Sequence, residues 1–372
     1  MEQTMIRKGY SFDDVLLVPR YNDIPSRRDV DTSIKFGGLN LGIPVLSSNM
    51  DTITGMKMAK TMHSLGGLGV LHRFYSIGDN AKDYLNVCIF KHPDGQRERI
   101  GEAIVSLGIN EGLDRFDALY GLGARYFCVD VAHGYTKAIG KFIKSLRQLH
   151  SDVFVIGGNV ATHAAADYLA SCGADAIKVG IGPGSVCTTR LKTGCGVPQL
   201  TAIMDCAKVD RLIIADGGIR TPGDAVKALA AGAHVVMLGG MLAGCDETPG
   251  DIIEKNGTFG QFYLDFARKA YNPQIQHPGT QRFKIFRGMA SKEAQEDFFG
   301  SQAEWKTAEG IEIKVRAKGP VKDVIADLVG GIRSGMTYCG ARNITALQRN
   351  AEFIEVTPNG VRENSPHGEG RL

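Results

Sequence analysis

The sequence predicts a (β/α)8 barrel, and three observations carry that expectation. Eight short, nearly continuous apolar runs are spaced along residues 43–238. Gly66, Gly123, Gly173 and Gly232 stand just before four of these runs, where glycine can end a helix in the left-handed conformation. Polar residues collect just after the runs, and in a barrel the chemistry sits at the C-terminal ends of the strands. Strands without polar alternation are buried on both faces, as in a parallel sheet covered by helices. A doubly wound open sheet is the alternative. It calls for a dinucleotide fingerprint after the first strand, and none is present.

Taken in order, residues 1–42 are polar and irregular, with Ser11–Pro19 as a lead-in laid against the body. The stretch from Ile43 to Asp51 gives a first strand that ends in polar residues, and Thr52 or Thr54 is the candidate cap of a helix running to about Leu65. Further strands are expected at Leu68–Leu71, Ala103–Leu107, Tyr126–Asp130, Val153–Ile156, Asp175–Val179, Leu212–Ala215 and His234–Leu238. Runs such as Ala161–Ser171 and Asp224–Ala231 between them have helical composition. After Ala243 the regularity breaks. Residues 245–318 form a long excursion, holding an aromatic stretch and the only tryptophan, Trp305, and read as a lid. Asp323–Gly330 is expected to be the final helix, and the tail from 357 to be mobile. All 372 residues then serve one domain, with a barrel core over about 43–340.

Composition narrows the class. A net charge of +3 gives no reason to expect a nucleic-acid surface or an acidic tail, and would suit a small anionic substrate. The eight cysteines show no CxxC pair or metal-type clustering, and several lie in apolar runs, as core residues do in a reducing compartment. No signal peptide is visible and no apolar run reaches membrane-spanning length, so a cytoplasmic protein without a membrane partner is expected.

The stretch Gly180–Arg190 directly follows the strand Asp175–Val179 and mounts Cys187 on a glycine-rich turn. Glycines allow close approach of backbone to a ligand, and successive N–H groups in such a turn can form an anion nest. A thiol there can ionise and attack an electrophilic carbon, although a merely buried cysteine reads the same way locally. The other strand ends carry Ser47, Ser48 and Asn49; His72 and Arg73; Asp130 and His133; Asn159; Asp216-Gly217-Gly218; and Gly239-Gly240. The last two groups follow strands seven and eight, the usual place for a barrel's phosphate site.

Together, these blocks resemble the IMP dehydrogenase/GMP reductase family. The resemblance rests on Ser11–Pro19, Ser48–Asp51, Gly157–Thr162, the cysteine loop, Ala215–Arg220, Met237–Gly240, Arg287–Met289 and Ser334–Tyr338, in that order along almost the whole chain. It implies a barrel, usually tetrameric or a multiple of that, with Cys187 forming a covalent thioimidate at purine C2. It further implies that Asp216 holds the ribose hydroxyls. Ser48 falls within its substrate site, and Ser185, Gly217, Gly218, Gly239 and Gly240 would hold the 5′-phosphate. Met50, Gly288 and Met289 would lie against the base, and Asp130 and Asn159 would face the nicotinamide. Gly182, Gly184 and Cys187 stand where dehydrogenases bind a monovalent cation such as K+.

Both branches of the family share the thioimidate. The dehydrogenase oxidises IMP with NAD and then hydrolyses the adduct, using an Arg-Tyr dyad on its lid. The reductase takes GMP, loses ammonia and reduces the adduct with NADPH. No Arg-Tyr pair occurs in 288–320. The resemblance gives Thr189 and the lid Glu309 to the leaving amine, which a carboxylic acid can protonate. The short link between strands two and three leaves no room for a regulatory domain, and Phe286 replaces a dehydrogenase tyrosine. Against this, Glu309–Glu312 and Ser334–Gly340 read equally well in a bacterial dehydrogenase, and Lys306 stands where a reductase lid typically has Arg. Lys306 is also the candidate for the cofactor's 2′-phosphate, and residues 258–282 look inserted relative to both branches. The reductase, with a homotetramer, is the expectation; an IMP dehydrogenase without the regulatory domain is the alternative. An FMN-binding barrel and a silent nucleotide-binding relative are the competing classes.

Overall fold

Eight parallel strands pair in chain order and close on themselves. They are β1 (Val45–Ser47), β2 (Leu68–Leu71), β3 (Ile104–Leu107), β4 (Tyr126–Asp130), β5 (Phe154–Val160), β6 (Ala176–Val179), β7 (Leu212–Asp216) and β8 (Val235–Leu238). All eight lie within a few residues of the apolar runs that predicted them. The computed structural model describes residues 6–92, 96–255, 281–301, 305 and 307–364. Lys306, nearly all of 258–282 and the last residues of the tail lie outside that set.

Side chains alternate along each strand, so every second residue points into the barrel. Leu46, Val70, Ile104, Cys128, Ile156, Ala176, Ile214 and Met237 form a core of their own inside it. The lead-in is more ordered than its polarity suggests. An antiparallel hairpin, Ile34–Phe36 with Leu39–Leu41, puts Phe36 and Leu41 into that core from the N-terminal end. Val15–Leu17 pairs with Phe353–Glu355, which ties the two ends of the chain together.

Helices α1 (Met56–Ser64), α2 (Ile77–Cys88), α3 (Asp114–Gly121), α4 (Lys137–Leu149), α5 (His163–Ser171), α6 (Gln199–Cys206), α7 (Pro222–Ala230) and α8 (Val321–Tyr338) surround the strands. Neither Thr52 nor Thr54 caps α1; the cap position is Gly55. The Thr54 hydroxyl instead donates to the Ser48 carbonyl at 2.6 Å, bracing the end of β1. Helix α8 does not stop at Gly330 but runs on to Tyr338. Its glycines are contact residues: a Cβ on Gly331 would lie 2.2 Å from Pro222 Cβ, and one on Gly335 would lie 2.7 Å from Val226, both on α7. Gly331→Ala is therefore expected to force α8 off α7. Overpacking of about 1–3 kcal/mol should outweigh a helix-propensity gain of about 1 kcal/mol, read as a lower urea midpoint at unchanged slope.

The excursion between β8 and α8 contains a three-stranded antiparallel sheet, Ile253–Lys255, Gln281–Arg287 and Glu312–Arg316, and a helix, Lys292–Phe299. Lys284 pins its base: the buried ammonium donates to the carbonyls of Cys245 (3.1 Å) and Thr248 (2.7 Å). Among the described residues no helix is long and apolar enough to cross a membrane.

Candidate active site

A cavity of about 770 Å³ opens at the C-terminal mouth of the barrel, beneath the excursion. Its lining includes every residue that the family resemblance assigns to the site except Lys306, which lies outside the described residues; of the polar strand-end residues, Ser47, His72 and His133 do not line it. Inward parity explains part of this convergence. Asp130, Lys178 and Asp216 continue the inward rows of Cys128, Ala176 and Ile214, so the last inward position of three strands is charged.

Cys187 follows β6 on the predicted turn, where its N–H closes on the Gly184 carbonyl at 3.1 Å. The turn is not a free anion nest at this point, because the Thr188 N–H is also engaged, donating to the Glu309 carbonyl at 2.9 Å. What the sulfur has instead is a relay. The thiol donates to Thr189 Oγ1 at 3.2 Å, and that hydroxyl donates to Glu309 Oε2 at 2.8 Å. The lid backbone holds the carboxylate there: Ile311 N donates to the Val186 carbonyl at 3.0 Å and Glu309 N to the Ala290 carbonyl at 3.0 Å. Gly288 is closely packed, since a Cβ would lie 3.1 Å from the Val186 carbonyl oxygen and 3.3 Å from Gly310 Cα. Met289 lines the same cavity as Met50.

One end of the cavity is built of glycine turns. Gly217 and Gly218 have φ of +92° and +80°, which a residue with a Cβ adopts only under strain. A Cβ on Gly239 would lie 3.2 Å from Ser48 Oγ, and one on Gly240 would lie 2.9 Å from Ser185 Oγ. Ser48 Oγ is buried with no hydrogen-bond partner. Bare backbone and two hydroxyls, one of them without a partner, fit a ligand oxyanion.

At the centre lies a network the sequence reading missed. Lys178, 3% exposed, pairs with Asp130 Oδ1 at 2.7 Å and Asp216 Oδ2 at 2.8 Å, and also donates to Asn159 Oδ1. Asn159 in turn donates to Asp216 at 2.9 Å and to the Gly180 carbonyl at 2.7 Å, while Asn49 donates to Asp130 at 2.9 Å. Burial opposes ionisation of both Lys178 and Asp130, but their mutual attraction prevails. The carboxyl is held below its ordinary range by Lys178, with help from Arg73 and Asn49, and the ammonium is held above its own by Asp130 and Asp216. The available signal was a single lysine inside an otherwise apolar strand.

Arg287, within the Arg287–Met289 motif, ties the excursion to the barrel. Its guanidinium holds Asp51 at 2.6 and 2.9 Å, Asp297 at 2.6 Å and Glu312 at 3.4 Å. His72, a polar strand end, is not part of the cavity lining. Burial, then Arg115 and Arg287, push its imidazole down to about 3, so it stays neutral and accepts from the Phe74 N–H at 3.1 Å.

Fold and site together define a class: a (β/α)8 barrel with a thiol, a carboxylate relay and an oxyanion cradle at its C-terminal mouth. The chain belongs to the IMP dehydrogenase/GMP reductase family, whose domain matches residues 9–271 and 266–367. It is 38% identical to GMP reductase 2 of Bos taurus, over 93% of this chain and 94% of the relative. It is 32% identical to inosine-5′-monophosphate dehydrogenase of Nitrosopumilus maritimus, over 97% and 98%. Among solved structures, inosine 5′-monophosphate dehydrogenase of Legionella pneumophila is 49% identical, with a TM-score of 0.78 over 95% of this chain and 100% of that one. A cysteine-to-alanine variant of the GMP reductase of Trypanosoma brucei, solved with guanosine 5′-monophosphate, is 28% identical, with a TM-score of 0.86 over 98% and 99%. The chain is thus an oxidoreductase of this family, with relatives in both branches.

Proposed function

We propose that this chain converts GMP to IMP and ammonia with NADPH, through a thioimidate on Cys187. The observation that carries the reading is the make-up of the lid over the sulfur. It brings a carboxylate to the sulfur through Thr189, yet residues 288–320 contain no tyrosine from which a water-activating Arg-Tyr dyad could be built.

The relay accounts for the protons. The Cys187 thiol gives its proton by way of Thr189 to Glu309, and the sulfur attacks purine C2. As the C2–N bond breaks, Glu309 returns that proton to the departing amine, so ammonia rather than amide ion leaves. NADPH, when bound, supplies a hydride to C2. The carbon–sulfur bond then breaks, releasing IMP and a thiolate, which takes up one proton from solvent to restore the thiol.

Asp216 is assigned to the ribose, and Ser48, Ser185, Gly217, Gly218, Gly239 and Gly240 to the phosphate. The cavity lining also includes Arg73, Phe74, Asp130, Val131, Ala132 and Asn159. Those residues would hold the nicotinamide. Carbonyl oxygens of Gly182, Gly184 and Cys187 are the donors this reading offers to a monovalent cation, and it carries a homotetramer.

A dehydrogenase is the second reading, favoured by the 49% identity to the Legionella protein. Two assays separate them, both with potassium present. NADPH loss with GMP, with IMP and ammonia appearing, supports the reductase. NADH formation with IMP and NAD, yielding XMP, overturns it. Gly240→Val tests the phosphate cradle. The added side chain meets Ser185 Oγ, so KM for the nucleotide should rise about tenfold or more with kcat little changed.

A further inference from the structure

On the outer face of α8, away from the barrel mouth, Ala326, Asp327, Gly330, Gly331 and Arg333 form a groove of about 420 Å³ with Arg27 and Arg28. The two arginines come from the turn Arg27–Asp29, which packs against α8. Residues 326, 330 and 333 follow the helical repeat, so they present one face.

Three features of this groove lack a structural account. Among the described residues, none of the guanidiniums of Arg27, Arg28 and Arg333 forms an ion pair or side-chain hydrogen bond. Arg333 Nε is buried with no acceptor, although such a donor is normally satisfied. Gly330 is the third feature. Its neighbours Gly331 and Gly335 are needed for contact with α7, but a Cβ on Gly330 would meet nothing within 4 Å. A glycine inside a helix is less favourable than alanine. At this position, its effect is to leave the floor between the arginines open.

We propose that this groove binds a phosphate-bearing anion, a polyphosphate or the phosphates of a nucleotide. Guanidinium groups match phosphate oxygens in planar, paired hydrogen bonds, and three of them against one Asp327 leave the groove cationic. The same helix lines the substrate cavity with Val324, one turn before the groove, so the two sites share a rigid element.

The experiment is calorimetric titration of the full chain with inorganic tripolyphosphate and, separately, with ATP. Wild type should bind one equivalent at the groove. Gly330→Glu adds a carboxylate among the arginines at a position where a Cβ meets nothing within 4 Å, and should weaken that equivalent at least tenfold. Arg28→Gln and Arg333→Gln should do the same, with circular dichroism unchanged. Equal affinity for the two ligands assigns the site to a phosphate chain alone; tighter ATP binding assigns it to a nucleotide. Absence of binding by wild type overturns the proposal. Binding that survives all three variants also overturns it, because the anion then sits elsewhere. So does a change of oligomeric state in Gly330→Glu without any anion effect, which would make the groove a contact between copies of this chain.

Discussion

Cys187→Ala is expected to abolish GMP turnover, and Glu309→Gln to lower it by about 10²–10⁴-fold, the range typical of a lost general acid–base. The two variants fail for different reasons, and the two half-reactions separate them. Glutamine at 309 still accepts a hydrogen bond from Thr189 but cannot take up or return the proton. Hydride removal from IMP by NADP+, which forms the same adduct without losing an amine, should therefore suffer less in Glu309→Gln than deamination of GMP, whose departing nitrogen lacks its acid. Cys187→Ala should support neither reaction. Stopped-flow absorbance of the nicotinamide reports both half-reactions. Wild-type GMP turnover by Glu309→Gln at neutral pH would sink the relay.

Lys178→Met is expected to destabilise the fold by about 3 kcal/mol, at the low end for breaking a buried ion pair. Asp130 and Asp216 remain partly exposed, at 23% and 20%, which limits the loss. The sign of the pH dependence is the sharper test. In the wild-type protein the folded pKa of Asp130 is depressed. Its contribution is present above the unfolded carboxylate value near 4 and is lost as pH falls through the lower folded value. Without Lys178, burial outweighs what Arg73 and Asn49 still contribute at Asp130, and the folded pKa moves above the unfolded one. The native state of the variant then binds protons more readily than its unfolded state, so between pH 7 and 4 it should gain stability as the pH falls. Urea unfolding at several pH values measures this. A variant whose stability runs parallel to wild type over that range would show that the ammonium does not set the charge of the pair.

Much of this molecule was legible before any coordinates. The eight barrel strands are short buried runs, and burial on both faces leaves an apolar signature that does not depend on neighbours. The cysteine turn was legible for a similar reason: glycine spacing is a local backbone requirement. Helix ends were read less well. Thr54 looked like a cap because cap preference is statistical, and the tertiary structure gave its hydroxyl to the end of β1. The sequence ends the final helix at Gly330, because nothing in the chain announces that α7 lies close enough to require glycine at 331 and 335 within one continuous helix.

The sequence by itself determined the alternation of strands and helices, the turn that carries Cys187 and the glycine turns at two strand ends. Each is set by residues within a few positions of one another. Only the tertiary structure decided that Glu309 reaches Thr189 from 120 positions away, and that Lys178 joins carboxylates from β4 and β7. It also decided that Arg287 fastens the lid to Asp51. Barrel closure and strand register select which inward positions meet at the mouth, and lid packing selects which carboxylate stands over the sulfur. Both are long-range packing outcomes, and local sequence pattern carries no term for them.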